Sequence, residues 1–100
     1  MNILDRQNKI SNAFKKIHEE IFHKIKDFEE DSKILDDVWK KKDLGQGNSI
    51  VIDDGNFFDK AGINFSSISG KSLPESSVGS KNKSMGLPFF ATGVSVVFHP

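Results

Sequence analysis

The chain of 100 residues contains no cysteine. That excludes a disulfide scaffold, a thiolate nucleophile and a cysteine–zinc site. Net charge is also missing: 14 Lys and Arg balance 14 Asp and Glu, so no electrostatic footprint points to nucleic acid or to an anionic membrane. No apolar run approaches membrane-spanning length, and the opening Met-Asn-Ile-Leu-Asp-Arg-Gln-Asn-Lys lacks the apolar core of a signal peptide. The expected setting is reducing and cytoplasmic, with no nucleic-acid partner and no membrane span. The length bounds the answer to one domain or less.

The charges crowd into the first 43 residues. There, Ile10, Phe14, Ile17, Ile21, Phe22, Ile25 and Phe28 recur at steps of mostly three and four, which predicts an amphipathic helix over about 4–28. An isolated helix of this kind is marginal and needs a sheet or another helix over its apolar stripe. The acidic cluster Glu29-Glu30-Asp31 ends it or begins the next loop. Strands are expected within 38–68: a short one at Val38-Trp39, a second at Ser49-Ile50-Val51-Ile52 stopped by Asp53-Asp54-Gly55, and a third at Ile63–Ile68. Two glycines, Gly45 and Gly47, read as a turn before the second strand. Asn56–Ala61 reads as a short helical turn broken by Gly62. Residues 69–86, rich in Ser, Gly, Lys and Asn, read as a long surface loop of the kind that serves as a lid or binding loop.

The densest apolar stretch, Leu-Pro-Phe-Phe-Ala-Thr-Gly-Val-Ser-Val-Val-Phe-His-Pro, closes the chain. It predicts a strand over 88–99. Alternation puts Ser95, Val97 and His99 on one face and Val94, Val96 and Phe98 on the other. Ser95 and His99 would then stand about 13 Å apart, at roughly 3.3 Å per residue. By spacing alone an ordinary satisfied serine and a strand-end histidine are the favoured reading over a functional pair. An apolar strand as the last element leads to the expectation that the sequence is the front part of a longer protein.

Two motif fragments do not hold. His18-Glu19-Glu20-Ile21-Phe22-His23 places its histidines five apart, diverging by roughly 140° on a helix, whereas a zinc-protease pair needs a spacing of four. Gly70-Lys71-Ser72 ends like a phosphate-binding loop, but Phe65 stands where its first glycine belongs.

From Trp39 onward the chain resembles the oxygen-dependent coproporphyrinogen III oxidases. The resemblance is carried by Trp39 and the basic residues after it, Leu44-Gly45-Gln46-Gly47-Asn48-Ser49, Asp54–Ser66 with its Lys-Ala-Gly-Ile-Asn-Phe-Ser, Ser69-Gly70 with Leu73-Pro74, and Phe90–Pro100 with its Gly-Val-Ser-Val-Val-Phe-His-Pro. The family's turn typically carries an unbroken run of glycines, of which Gly45 and Gly47 remain. The resemblance implies an α+β fold, an N-terminal amphipathic helix packed on part of a large antiparallel sheet, incomplete at 1–100. It implies oxidative decarboxylation of coproporphyrinogen III to protoporphyrinogen IX in haem biosynthesis, with dioxygen as co-substrate and no organic cofactor. It assigns Ser95 to substrate binding and His99 to a divalent metal cation or to the polar wall of the same pocket. The family's catalytic groups and its homodimerisation region are expected beyond Pro100. The rival expectation is an inactive or split remnant, or a non-catalytic helix-plus-sheet interaction module.

Overall fold

The computed structural model describes residues 2–29, 31–71 and 88–99. One helix, α1 (Ile3–Phe28), is followed by β1 (Lys33–Lys41), β2 (Gly45–Asp53), β3 (Lys60–Gly70) and β4 (Phe89–His99). The strands form one sheet in sequence order, antiparallel at every pairing. Helix α1 lies across β3 and β4 on one face.

The helix begins where Asn2 turns its side-chain oxygen back to accept the Asp5 backbone N–H at 2.8 Å, which satisfies one of the unpaired donors of the first turn. Its buried side is not the stripe of large apolar residues alone. Ser11, His18 and Ile25 are buried at heptad spacing, with Phe14, Ile21 and Phe22 half-buried beside them. Ile10 and Ile17 lie on the flank and stay 48% and 43% exposed, and Phe28 is exposed too. The stripe expected from the sequence is thus rotated. Within the buried row the His18 ring lies 6.1 Å from that of Phe65 and bonds a carbonyl of β3. His18 is 1% exposed, and its Nε2–H donates to the Ile63 carbonyl at 3.0 Å. A carbonyl can only accept, so Nε2 carries the hydrogen. The two histidines of the helix diverge as their spacing requires: His18 is buried and His23 exposed.

The core under α1 is Ile25, Ile50, Ile52, Ala61 and Ile63, with Ile21, Phe22 and Val96 against it. Ile21, Phe22 and Ile25 come from α1, and the others from alternate positions of β2, β3 and β4, as strand periodicity demands.

Several expectations need correction. Strand β1 starts at Lys33 rather than near Val38, because its length is set by pairing along the whole of β2, Lys33 with Asp53 through Lys41 with Gly45. Gly45 and Gly47 are not the turn. They open β2, and the chain reverses just before them, with Asp43 in the left-handed region at φ 62° and the Leu44 N–H donating to the Lys41 carbonyl at 3.2 Å. Residues 56–61 form no helical turn. Phe57 and Phe58 direct their N–H groups to the side chain of Glu29 instead of to a preceding carbonyl, and β3 has begun by Lys60. Strand β3 runs on to Gly70, into the start of the expected loop 69–86; from 72 that loop lies outside the described residues.

The buried His18–Ile63 bond gives a direct check. Replacing His18 with Leu removes the donor but keeps apolar volume, and is expected to lower stability by about 1–3 kcal/mol, the typical cost of deleting a buried hydrogen-bond partner. Urea unfolding followed by far-UV circular dichroism reads the loss.

Candidate functional site: the open face of the sheet

The alternation that sends Ala61, Ile63, Phe65 and Val96 under the helix sends their neighbours to the opposite face. Among the described residues no helix covers that face. Its side chains fall in rows across the four strands, set by the register. Lys33, Asp53, Lys60 and His99 form one row; Leu35, Val51, Gly62 and Val97 the next; then Asp37, Ser49, Asn64 and Ser95; then Trp39, Gly47, Ser66 and Gly93. Successive rows stand roughly 6.6 Å apart along the strands and neighbouring strands about 4.8 Å apart.

Strand β4 therefore places Ser95 and His99 on one exposed face, as its alternation predicts, with Val97 between them at 50% exposure. Ser95 stands opposite Asn64, whose side-chain amide donates to Ser95 Oγ at 3.5 Å. His99 stands opposite Lys60. The row containing Ser95 presents a carboxylate, two hydroxyls and an amide in a line across the sheet. Sequence reading missed Asp37, Ser49 and Asn64 as its partners. They lie far apart in the chain, and only the register makes them neighbours.

Each row beside this polar line has a glycine next to the Asn64–Ser95 pair, Gly62 on β3 and Gly93 on β4, among larger residues such as Leu35, Val97 and Trp39. A Cβ built at either glycine meets nothing within 4 Å, and neither lies in the left-handed region. The fold therefore does not require glycine at either place, although a glycine inside a strand costs conformational entropy and packs nothing. Gly47 is different. A Cβ there would enter the Trp39 ring, so its missing side chain lets the indole lie across β2 on the open face. Gly45, at φ 154° with the Ser67 carbonyl where its Cβ would go, is fixed by backbone geometry.

The described residues do not by themselves make a metal centre. No three His, Asp or Glu converge among them, and the register partner of His99 is a lysine, whose charge repels a cation. His99 supplies one donor.

A helix packs on one side of an antiparallel meander, and on the other side one line of hydrogen-bonding side chains crosses the sheet. The family model described as coproporphyrinogen III oxidase matches residues 9–100. Oxygen-dependent coproporphyrinogen-III oxidases from Prochlorococcus marinus strain MIT 9515 and from subspecies pastoris strain CCMP1986 are each 33% identical over 94 residues, 94% of this chain and 28% of the relative. The enzyme of that name from strain NATL1A is 34% identical over 84 residues, 84% of this chain and 24% of its own. The chain belongs to the coproporphyrinogen III oxidase family, and it spans about a quarter of the length of these relatives.

The two kinds of glycine are separable by experiment. Gly62→Val and Gly93→Val are expected to leave the urea midpoint unchanged or to raise stability by up to about 1 kcal/mol, because a β-branched residue suits a strand better than glycine. Gly47→Ala is expected to cost about 1–3 kcal/mol by overpacking against the indole and to shift the emission of Trp39, the single tryptophan.

Proposed function

We propose that the open face of β1–β4 is part of the site at which an oxygen-dependent coproporphyrinogen III oxidase holds its substrate, and that this chain contributes that part. The observation that carries the reading is the pair Gly62 and Gly93. Both flank the Asn64–Ser95 pair, and both leave out side chains that the sheet itself has room for. Space that the fold does not need suits a broad molecule lying against the strands. A porphyrinogen, its pyrrole rings joined by saturated bridges, is broad and puckered, and its carboxylates suit the Ser49 and Ser95 hydroxyls and the Asn64 amide, at the end of the row away from Asp37.

In this reading Ser95 Oγ and Asn64 Nδ2 hydrogen-bond a propionate or a pyrrole edge. Lys60 offers a positive charge to a carboxylate beside His99. The reaction converts two propionates to vinyls, each losing CO2 and a hydride equivalent, with dioxygen as the acceptor of the electrons and no organic cofactor. The reduced macrocycle is itself electron-rich. The protein's share is orientation, neutralisation of carboxylate charge and exclusion of water. His99 forms the polar end of the pocket; a divalent cation there would draw its remaining ligands from outside the described residues. The lack of cysteine suits a cytoplasmic site of action, and no described helix is long and apolar enough to cross a membrane. Homodimerisation rests on the family resemblance alone.

Fluorescence titration of the chain with coproporphyrin III, the stable oxidised macrocycle, tests the reading. Gly62→Val and Ser95→Ala are each expected to weaken binding by about tenfold or more, equivalent to about 1.4 kcal/mol, with unfolding midpoints held. Unchanged affinity in a folded Gly62→Val variant would remove the open face from the site.

A further inference from the structure

The C-terminal end of α1 holds a carboxylate where electrostatics disfavours one. Glu29 follows the last helical residue, at the negative end of the helix dipole, and is 1% exposed. Its Oε1 accepts the backbone N–H groups of Phe57 at 2.8 Å and Phe58 at 2.9 Å. Among the described residues its Oε2 is buried without a hydrogen-bond partner. Gly55 is shaped around it, since a Cβ at that position would run into the carboxylate. Burying a carboxylate with half its acceptors unmatched costs stability, and a neutral cap would close the helix more cheaply.

The segment it holds, Asp54–Asp59 between β2 and β3, has no ladder of its own beyond the Asp54 N–H to Asp59 carbonyl bond at 3.2 Å. From there an aromatic contact leads to β4. The Phe58 ring lies 4.7 Å from that of Phe98, tilted by 32°, while Phe57 lies 5.9 Å from Phe28 at the helix end. Phe98 immediately precedes His99. On β4 the last three residues, Val97, Phe98 and His99, are all exposed, and His99 stands opposite Lys60 across the sheet.

We propose that Glu29 is a positioning residue for His99: by gripping the Phe57 and Phe58 amides it seats the Phe58 ring against Phe98, and so fixes the end of β4 from which the imidazole projects onto the open face. This deepens the reading of that face as a binding site and rests on it for its functional meaning, but its geometry is independent. Each link is short and specific: two charge-assisted hydrogen bonds, one ring pair, one peptide unit. Without them the end of β4 would keep only its ladder with β3 and would fray more readily, as strand ends do.

NMR of the full 100-residue chain tests the linkage. In Glu29→Ala and in Phe98→Leu, the His99 ring ¹H–¹³C signals are expected to shift and broaden together, while the amides of Val94 and Ser95 and of the Lys41–Gly45 end stay in place. Glu29→Gln keeps an acceptor for both amides and is expected to restore most of the His99 signal, which a purely structural loss of charge would not do. Unmoved His99 signals in folded Glu29→Ala would overturn the proposal, as would equal disturbance at both ends of the sheet. Should Glu29→Ala not fold, Phe98→Leu decides, and undisturbed His99 signals there overturn it equally. Coproporphyrin III titration of the same variants separates the two readings. Absence of binding by the unsubstituted chain would count against the open face as a tetrapyrrole site, whereas the His99 signals judge the linkage by themselves.

Discussion

The alternation of β3 beneath the helix is the constraint on which the molecule depends. Ala61, Ile63 and Phe65 must all meet α1, because they are the floor on which Ile25 and His18 close. A strand has no intermediate setting. If these three point to the helix, Gly62, Asn64 and Ser66 point away, and a shift of one residue would exchange the two sets entirely. Pairing on both sides of β3 passes this choice to β2 and β4, so that Ser49 and Ser95 align with Asn64. The open face is therefore not a separate feature added to the fold. It is the other half of the decision that forms the core.

That coupling gives the small and polar residues of the sheet their meaning. Where the sheet meets the helix, size is dictated by packing, and the core residues the strands supply are Ile, Phe and Val with one alanine. On the open side the chain's own packing asks for little. Gly47 answers to Trp39, but Gly62 and Gly93 answer to nothing inside the described residues. The difference between glycines that the backbone needs and glycines that it tolerates is what turns an exposed sheet into a candidate binding surface.

The two ends of the sheet are treated differently by the chain. Near Lys41–Gly45 the reversal is local, made by Asp43 in the left-handed region and short backbone bonds. At the other end the β2–β3 connection is held from a distance by Glu29, 28 residues before Phe57. A buried carboxylate is an expensive way to hold a turn. Its use at the end of the sheet that carries His99, and not at the other, is consistent with a need for order there.

Much of this was open to reading in the residues themselves. The helix, the β-branched strands and the period-two alternation of β4 follow from local pattern, because side-chain direction is fixed by backbone geometry before any tertiary contact forms. Ser95 and His99 share a face for that reason alone. The sequence could not say which helical row is buried, because Ile10 and Ile17 are as apolar as Ile21 and Ile25, and only the shape of the sheet beneath favours Ser11 and His18. It could not reveal Glu29, which looked like one acid in a surface cluster, since its partners lie far along the chain. Nor could it line up Asp37, Ser49, Asn64 and Ser95 or tell apart the glycines. Periodicity assigns a residue to a face; neighbours across strands, and the space above a glycine, exist only once the register is set.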